Sequence, residues 1–388
     1  MPRPLRLTVV NAAFDRAITG AAALLDRYDT LTHWCRALRE TGTHVEVVQR
    51  FSRDATVERD GVTYHCLADG TAGTPSWRDG LTRVVERTRT TTPDLVHVNG
   101  LGFPALVAAL RDGLGPAPVI VLQDHAGLAP PAGGGFMESF KRLRWKTGLD
   151  HADAVSFTAE GLAAPWHRAG LLQQARVLDV VESSTTVRPT PRDEARSRTG
   201  LTGAPVVLWI GRLIAGKDPR TALAGFESFR VHHPDASLVM LFQGGDLEDD
   251  VRGIVHRSLL LQLSVRLVGA VPHEAMGDYF GAADLFLSAS HSEGSGYALL
   301  EAMACGVTPV VTAIAPHLAI TGSAGTSWPV GDARACAEAL TRAWAGDHAA
   351  AAAAVRARFD EALSWGALAR RTMEAYIRLV EARQARGR

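Results

Sequence analysis

The sequence predicts an α/β protein of two domains, each built around a mainly parallel sheet. The chain has 388 residues, which is more than one ordinary core holds and enough for two domains of ~150–200 residues. Short apolar runs alternate with longer helical patterns along its whole length, as in βαβ units. A polar segment with two prolines, residues 182–191, separates two series of such units and is the predicted linker. We therefore expect one domain over residues 1–185 and a second over residues 200–369.

The first domain is predicted from six apolar runs of strand length and from the helical spacing between them. The predicted strands are residues 5–10, 44–48, 95–98, 119–122, 154–157 and 176–181, and the predicted helices are residues 28–39, 81–90, 103–111 and 136–147. Because helices connect most of these strands, the strands should run parallel.

The second domain repeats the alternation after the linker. Its predicted strands are residues 204–210, 237–242, 265–268, 285–287 and 308–311, with a helix from about Pro219. The chain then closes on an amphipathic helix from Trp365 to about Arg383. The apolar residues near one face of that helix are Leu368, Met373, Tyr376, Ile377 and Val380.

The composition limits the classes of protein and the kinds of partner that fit this sequence. The hydrophobic fraction of 46% and the charged fraction of 21% are typical of a globular protein, and the formal net charge of zero gives no reason to expect nucleic acid as a partner. The four cysteines have no metal-type spacing and lie among apolar residues, which predicts free thiols in a reducing compartment. No apolar run has the length of a membrane span, and the first residues lack the pattern of a signal peptide. We expect a cytoplasmic protein.

The most informative segment is residues 288–306, where a buried strand leads through a Gly/Ser loop into a helix. The first turn of such a helix offers backbone N–H groups to an anion. Two carboxylates lie eight positions apart, Glu293 in the loop and Glu301 on the helix. If residues 295–301 are helical, Glu301 lies ~9 Å along the axis from the helix start. An extended ligand with hydroxyls at each end and phosphates between them would reach both carboxylates.

This segment resembles the Glu-x7-Glu motif of the retaining family-4 glycosyltransferases, whose GT-B fold has two Rossmann-like domains that face each other across a cleft. The resemblance implies that Glu293 contacts donor-sugar hydroxyls and that Glu301 holds the ribose of the donor. It implies that the loop amides from Gly294 to Tyr297 meet the sugar and the distal phosphate. It covers nearly the whole chain, is strongest over residues 206–316, and implies that a terminal helix, residues 370–388, crosses back to the first domain.

A second segment, residues 209–219, also runs from a strand through a glycine loop towards a helix. It resembles the family's Gly-Arg-Leu…Lys motif, in which Arg212 and Lys217 would neutralise the donor diphosphate. Negative charge grows on the β-phosphate as the nucleoside diphosphate departs, and fixed cations there lower the barrier. The family usually has glycine after the lysine. This chain has Asp218, which we expect to cap the following helix.

The first domain matches the family less well. Residues 94–100 and 119–127 both end strands at the edge where α/β folds bind ligands. The second of them carries Asp124 and His125, and the resemblance implies that an imidazole here touches the donor sugar. An ordinary role at a strand end is the alternative for His125. The loop around Gly20 takes the place of the family's glycine-rich diphosphate loop, with one glycine instead of two.

Two further features admit more than one interpretation. The loop after residues 237–242 contains Gly244 and matches a Gly-x-Gly loop of the family. The acidic run at residues 246–250 is interpreted as the start of a helix, where acids suit the dipole, and not as a metal site.

The basic and aromatic segment 138–146 is interpreted as a solvated helix with two buried aromatic side chains. Contact of this helix with an acceptor or a membrane surface is the alternative, and we do not expect peripheral membrane contact.

The sequence as a whole predicts a retaining glycosyltransferase that moves a sugar from a nucleoside-diphosphate donor to a small polar or secondary-metabolite acceptor. The resemblance implies that the diphosphate needs no metal, and no other cofactor is expected. The predicted catalytic residues are His125, Arg212, Lys217 and Glu293, and the predicted donor-binding residues are Gly20, Asp124, Gly211, Gly244, Gly294, Ser295, Gly296, Tyr297, Ala298 and Glu301. The alternatives are a sugar-nucleotide epimerase or phosphorylase of the same fold and a non-catalytic nucleotide-sugar binding protein.

Overall fold

The computed structural model describes residues 3–13, 15, 17–68, 77–125, 127–131, 135–173, 177–181 and 183–386. The chain forms two compact units. Unit 1 comprises Met1–Glu182 and Trp365–Arg388, and unit 2 comprises Ser183–Ser364. Both units are α/β structures with mainly parallel sheets.

Unit 1 follows the predicted alternation of strands and helices. Its strands are β1 (Arg6–Asn11), β2 (His44–Phe51), β3 (Ala55–Arg59), β4 (Val62–Ala68), β5 (Leu95–Asn99), β6 (Val119–Gln123), β7 (Ala154–Phe157) and β8 (Val177–Asp179). Its helices are α1 (Ala21–Arg27), α2 (Asp29–Glu40), α3 (Trp77–Thr90), α4 (Pro104–Leu114), α5 (Phe136–His151), α6 (Glu160–Arg168) and, after unit 2, α16 (Trp365–Arg386).

The sheet of unit 1 has the order β3-β4-β2-β1-β5-β6-β7-β8 over the described residues. Its strands pair in parallel except for β3 and β4, an antiparallel hairpin that the sequence analysis did not predict. Asp60 and Gly61 form the turn with φ of 51° and 72°. An Asp-Gly pair between alternating strands is a strong signal for this kind of hairpin turn. That signal was present in the sequence.

Unit 2 begins with α7 (Arg192–Thr199) and then alternates. Its strands are β9 (Val206–Gly211), β10 (Ser237–Phe242), β11 (Val265–Gly269), β12 (Leu285–Ser288), β13 (Thr308–Thr312) and β14 (Thr326–Trp328). Its further helices are α8 (Pro219–His232), α9 (Glu248–Arg257), α10 (Leu259–Ser264), α11 (Met276–Ala282), α12 (Tyr297–Ala304), α13 (Ala315–Thr321), α14 (Ala333–Trp344) and α15 (His348–Arg358). A π-helical turn, Phe359–Leu363, precedes α16.

The sheet of unit 2 has the order β11-β10-β9-β12-β13-β14, and all of its recorded pairings are parallel. Counted from β9, this is the strand order 3-2-1-4-5-6 of the doubly wound dinucleotide-binding fold. The chain proceeds from β9 to one side of the sheet and then returns to start β12 on the other side. Ligands of such sheets bind where the direction reverses, beyond the carboxyl ends of the two central strands. For unit 2 that position is the edge formed by the ends of β9 and β12.

The segment predicted as a linker is part of unit 2 from residue 183 onwards, and residue 182 lies outside the described residues. Ser183 and Ser184 are buried, and the Thr190 amide donates to the Gly277 carbonyl at 3.0 Å. Helix α7 buries Ala195 completely and holds Asp284 through Arg192 at 2.6 Å. Two prolines make this stretch irregular, but they do not detach it from the unit.

Helix α16 packs on unit 1. Ala369, Met373, Tyr376 and Val380 enter the hydrophobic cluster that also contains residues of β1, β2 and α2. These four positions repeat at the spacing of one helix face. Ile377, predicted to belong to that face, is 43% exposed, because it lies about 60° around the helix from the middle of the stripe. The helix starts at Trp365, five residues before the position predicted for the returning segment.

None of the helices in the described ranges combines the length and the apolar character needed to cross a membrane. All four cysteines are free thiols; Cys305 is partly exposed and the other three are buried.

Candidate active site

The candidate site of unit 2 lies on two loops that leave the central strands β9 and β12. The first loop follows Gly211 and contains a short 3-10 turn, Ala215–Lys217, before α8 begins. The second loop follows Ser288 and leads into α12. Because β9 and β12 are paired in parallel, both loops emerge at the same edge of the sheet. The two motifs of the sequence analysis are thereby brought together, although about 80 residues separate them along the chain.

An ion pair joins the two motifs at their centre. The ammonium of Lys217 donates to Oε1 of Glu293, and Ser290 Oγ donates to the same oxygen at 2.7 Å. The side chains of Lys217 and Glu293 are 27% and 14% exposed, so the pair lies at the rim of the site. A carboxylate held by two donors through one oxygen keeps its second oxygen available as an acceptor.

Asp218 fastens the first loop to the second. Its carboxylate accepts from the Thr221 amide at 3.2 Å and from the His291 ring at 2.9 Å. The His291 amide donates back to the Gly216 carbonyl at 2.9 Å. Burial alone would raise the pKa of Asp218, but the hydrogen bonds from His291 and Thr221 hold it below its usual range. The predicted capping role of Asp218 is confirmed.

The backbone conformation at position 218 explains why the family that the sequence resembles usually has glycine there. Asp218 has φ of 43°, in the left-handed region that most side chains avoid. Aspartate tolerates this region better than most residues do. Here it also contributes a helix cap and the contact with His291, which glycine could not supply.

The second loop ends at Gly296, whose φ of 63° turns the chain into α12. The helix starts at Tyr297, two residues later than the spacing predicted, so Glu301 lies ~6 Å along the axis from the helix start instead of ~9 Å. Ser295 is buried, and the side chain of Tyr297 accepts a hydrogen bond from Ser183 Oγ at 3.2 Å. Gly294 lies in the loop before the helix, and Ala298 is the second residue of α12.

Glu301 is 9% exposed and faces a histidine that sequence analysis did not single out. His273, in a one-turn 3-10 helix after β11, donates from Nε2 to Oε1 of Glu301 at 2.9 Å. The His273 side chain is 63% exposed, while that of Glu301 is 12% exposed. A partly covered carboxylate beside an exposed imidazole can accept hydrogen bonds from paired hydroxyls such as those of a ribose.

Two glycines near the first loop are explained by packing within unit 2. The Leu213 amide donates to the Gly244 carbonyl, and the Leu247 amide donates to the Leu213 carbonyl, both at 2.9 Å. A Cβ at Gly245 would lie 2.2 Å from the Leu213 carbonyl oxygen. A Cβ at Gly211 would lie 3.1 Å from the Trp209 ring. The contact at 245 leaves no room for a side chain, the contact at 211 is tighter than ordinary van der Waals contact, and the backbone at 244, with φ of 57°, favours glycine.

Arg212 is the exposed cation of the site. It follows β9 directly, and its guanidinium makes no hydrogen bond or ion pair with any residue that the structure describes. Lys217 and Arg212 therefore differ, because of the two only Lys217 is paired with a described residue.

A buried histidine supports the second loop from behind. His317 is 1% exposed, and its Nδ1 contacts the Thr312 carbonyl at 3.0 Å and the Thr312 hydroxyl at 3.1 Å. The Thr312 hydroxyl in turn donates to the Ser290 carbonyl at 2.6 Å. Burial lowers the pKa of His317, which favours the neutral ring. Buried hydrogen bonds from His317 through Thr312 thus hold the backbone of Ser290, next to the site.

The acidic run begins α9, as the sequence analysis interpreted it. Glu248 pairs with Arg252 at 2.7 Å, and Asp250 pairs with Arg220 at 2.6 Å. Within the described ranges, no three His, Cys, Asp or Glu side chains are grouped so that they could hold a metal ion.

Unit 1 carries its own polar cluster at the carboxyl ends of β2, β1, β5 and β6. His125 donates from Nε2 to Oδ1 of Asn99, and Asn99 Nδ2 donates to Oδ1 of Asn11 at 3.2 Å. Asn11 Nδ2 donates to Oε1 of Gln49 at 2.7 Å. The two asparagines and the glutamine were not predicted as site residues, although each stands at or near the last position of a strand. They fix the orientation of the imidazole, with the proton on Nε2.

The other two predicted residues of unit 1 are Asp124 and Gly20. Asp124 is 2% exposed, and its amide donates to the Ser156 carbonyl at 2.9 Å. Gly20 precedes α1 with φ of −103°, which any residue adopts, and a Cβ there would meet Ala23 at 3.7 Å. The protein's own packing therefore does not require glycine at position 20.

Two family profiles match the chain, one on each unit. Residues 29–181 match "Glycosyl transferase 4-like domain", and residues 204–345 match "Glycosyl transferases group 1". The second range contains both motifs of unit 2, and the first contains Asn99 and His125.

Curated relatives share the sequence at moderate identity. The D-inositol 3-phosphate glycosyltransferase of Thermobispora bispora is 32% identical over 212 residues, which is 50% of this chain and 48% of that protein. The 2-deoxystreptamine N-acetyl-D-glucosaminyltransferase of Streptomyces fradiae is 31% identical over 244 residues, which is 59% of this chain and 57% of that protein. The matched region thus spans about half the length of these relatives.

Solved structures share the fold over nearly the whole chain. The sucrose-phosphate synthase of Thermosynechococcus elongatus superposes with a TM-score of 0.69 at 20% identity, covering 97% of this chain and 100% of that one. Anabaena HepE in complex with UDP and glucose superposes with a TM-score of 0.66 at 14% identity, covering 96% of this chain and 99% of that one.

Proposed function

We propose that this chain, which belongs to the family-4 glycosyltransferases of GT-B fold, moves a sugar from a nucleoside-diphosphate donor to a small polar acceptor with retention of the anomeric configuration. Unit 2 binds the donor. Unit 1 recognises the acceptor.

One observation carries the proposal: the edge between β9 and β12 assembles two cations, two carboxylates and the start of α12. Arg212 and Lys217 suit a diphosphate. Glu293 in the second loop and Glu301 in α12 suit the hydroxyls of a sugar and of a ribose. These side chains lie at the edge of the sheet where the strand order reverses, beyond the ends of β9 and β12. Dinucleotide-binding sheets bind their ligands at this position.

The chemistry follows from these charges. When the bond between the sugar and the β-phosphate breaks, negative charge grows on the leaving diphosphate. Cations fixed beside it stabilise that charge more in the transition state than in the bound donor. In a same-face substitution the leaving phosphate takes the acceptor proton, so the reaction needs no separate general base. We propose that no metal is needed, and a chelator should therefore leave the rate unchanged.

The relatives suggest the class of acceptor. One is named for D-inositol 3-phosphate and another for 2-deoxystreptamine, both of which are small polar rings. We assign a small polyhydroxylated or aminated ring as the acceptor of this chain. A non-catalytic binding protein remains the second candidate function, and turnover of the donor separates it from the first.

The test is thermal stabilisation of the full chain by a panel of nucleotide sugars and free nucleoside diphosphates. A ligand at 100 times its Kd stabilises by ~2.7 kcal/mol. Glu301→Ala removes a charged acceptor worth ~1.5–3 kcal/mol, so affinity should fall roughly 10- to 150-fold. At the same ligand concentration the stabilisation should then fall to between roughly 1.4 and 0.3 kcal/mol.

The matched control is Glu338→Ala, which removes an exposed glutamate of α14. This variant should be stabilised like the wild type. Absence of stabilisation by every nucleotide in the panel, or equal stabilisation of Glu301→Ala and wild type, would contradict the assignment of the donor site.

A further inference from the structure

Helix α5 of unit 1 carries an apolar surface that is exposed among the residues that the structure describes. Among the described residues, 12 large hydrophobic side chains are exposed, and five of them lie within residues 128–143. Four of these five are 52–87% exposed, and they are Phe136, Met137, Phe140 and Leu143; the fifth is Leu128, at 38%. The sequence analysis expected Phe140 to be buried, which is wrong. Scattered exposed hydrophobics are normal, but a local cluster of this kind indicates a binding surface.

Helix α5 is apolar on two opposite faces. Trp145 packs against Trp166 with ring centroids 5.0 Å apart, and Leu149 is 2% exposed, so these residues define the buried face. Phe136, Phe140 and Leu143 follow the spacing i, i+4, i+7 on the opposite face. The helix thus packs on unit 1 with one stripe and presents the other to its surroundings. We call Phe136, Phe140 and Leu143 the outer stripe.

Basic side chains flank the outer stripe. At 100° per residue, Arg144 lies about 70° from the middle of the stripe on one side, and Lys146 lies about 90° away on the other. Lys141 lies about 130° away, on the same side as Arg144. The helix has four basic residues and two acidic ones. Arg144 makes no ion pair with any residue in the described ranges, while Lys141 and Lys146 pair with Glu138 and Asp150 at 3.2 Å and 2.7 Å.

The use of lysine distinguishes this surface from the rest of the chain. The sequence has 41 basic residues but only three lysines, and two of the three are on α5. Lysine is depleted in protein–protein interfaces. Its long apolar stem with a terminal charge suits the boundary between an apolar layer and a layer of anionic headgroups.

We propose that the outer stripe and its basic flanks dock unit 1 onto an anionic lipid surface, with α5 lying in the plane of the headgroups. Phe136, Phe140 and Leu143 enter the boundary of the acyl chains. Arg144, Lys141 and Lys146 face the headgroups. Such helices bind through apolar area together with attraction to anionic lipid, and the binding is reversible.

Flotation of the full chain with lipid vesicles tests the proposal. The wild type should float with vesicles of equal parts phosphatidylcholine and phosphatidylglycerol, and it should float far less with phosphatidylcholine alone. The variant Phe136→Ser/Phe140→Ser/Leu143→Ser should lose at least tenfold in partitioning. Arg144→Glu/Lys146→Glu should lose at least ~25-fold, because each basic residue near such a surface contributes roughly fivefold.

A second triple variant provides the control. Val231→Ser/Leu259→Ser/Leu263→Ser removes side chains of unit 2 that are 61–76% exposed, and it should float like the wild type. The melting temperatures of all variants show that they fold. Failure of the wild type to float, equal flotation of the outer-stripe variant, or a wild-type dimer in light scattering that the outer-stripe variant abolishes would each overturn the proposal. None of these results depends on the proposed donor site.

Discussion

Arg212 and Lys217 occupy one loop of unit 2 but have different surroundings. Lys217 holds Glu293 in place, so its removal would disturb a carboxylate of the site as well as the charge on the loop. Arg212 is exposed and has no partner among the described residues. At the scale of single residues, Arg212 is therefore the cleaner probe of the charge that stabilises a leaving diphosphate.

Replacing Arg212 by Ala should lower kcat by roughly 10- to 150-fold and raise KM much less, because its partner charge grows as the bond breaks. Steady-state kinetics with the donor found in the panel provide the measurement. Arg220→Ala, which removes an exposed arginine of α8 paired with Asp250, is the control and should leave both constants unchanged. An effect of Arg212→Ala confined to KM would make it a plain binding residue.

The sequence was informative about those site residues that lie within one local motif. Glu293 and Glu301 are separated by a fixed spacing, and Lys217 follows a glycine loop, so each could be singled out from a familiar pattern. His273 and Asn99 could not be found in this way. Asn99 contacts His125 because β5 and β6 are neighbours in the sheet, and His273 contacts Glu301 because the segment after β11 folds against α12. A side chain's role in a site depends on contacts that spacing alone does not specify.

At the scale of elements, β5 and α16 are joined by a buried polar contact. His97 is 1% exposed, and its Nδ1 lies 2.6 Å from the Tyr376 hydroxyl. The centroids of the His97 and Trp34 rings are 4.6 Å apart. Burial lowers the pKa of His97 from its ordinary 6.5 to about 3. Below pH 6.5 the unfolded chain binds a proton that folded unit 1 excludes. Stability is therefore complete above pH 6.5 and is lost as the pH falls towards about 3.

His97→Gln should make the stability of unit 1 less dependent on pH in that window, by up to ~1.4 kcal/mol per pH unit. Hydrogen exchange of the β5 amides between about pH 7 and pH 5 measures unit 1 alone, after correction for the intrinsic exchange rate. His256→Gln, which removes an exposed histidine of α9, should leave the slope unchanged. An identical slope in wild type and His97→Gln would exclude His97 as the source of the acid sensitivity.

Helix α16 lies near the C-terminal end of the sequence, but it completes the hydrophobic core of unit 1, whose other residues come from the N-terminal half. Met373, Tyr376 and Val380 are buried in unit 1, and burying side chains of this size stabilises by ~1.5–3 kcal/mol each. The total is comparable to the ~5–15 kcal/mol by which a typical domain is stable. Removing residues 365–388 should therefore unfold unit 1, and far-UV circular dichroism with limited proteolysis would show it. A truncated chain with intact unit 1 would contradict this account of α16.

The converse truncation concerns unit 2. A fragment of residues 183–364 should fold by itself, whereas a fragment starting at residue 200 should be less stable, because it lacks the buried Ala195 and the Arg192 contact with Asp284. Comparing the urea midpoints of the two fragments tests this. Equal midpoints would show that unit 2 folds without α7, as expected for a second domain that starts at residue 200.

The whole molecule was predicted better than its details. The alternation of strand and helix patterns predicted two α/β domains, because the spacing of apolar residues indicates which face of each strand or helix is buried. The β3–β4 hairpin departs from that alternation, and its Asp60-Gly61 turn was not recognised. The outer stripe of α5 was misjudged for another reason. Periodicity shows that Phe140 is apolar, but it cannot show whether unit 1 covers that side chain.

The central claim is retaining sugar transfer from a nucleoside-diphosphate donor. The most direct test follows the anomeric proton by NMR while the full chain converts the identified donor and an acceptor ring. We expect release of one nucleoside diphosphate per sugar transferred and a product whose anomeric configuration equals that of the donor. A product of inverted configuration, or a bound donor that is neither transferred nor hydrolysed, would contradict it.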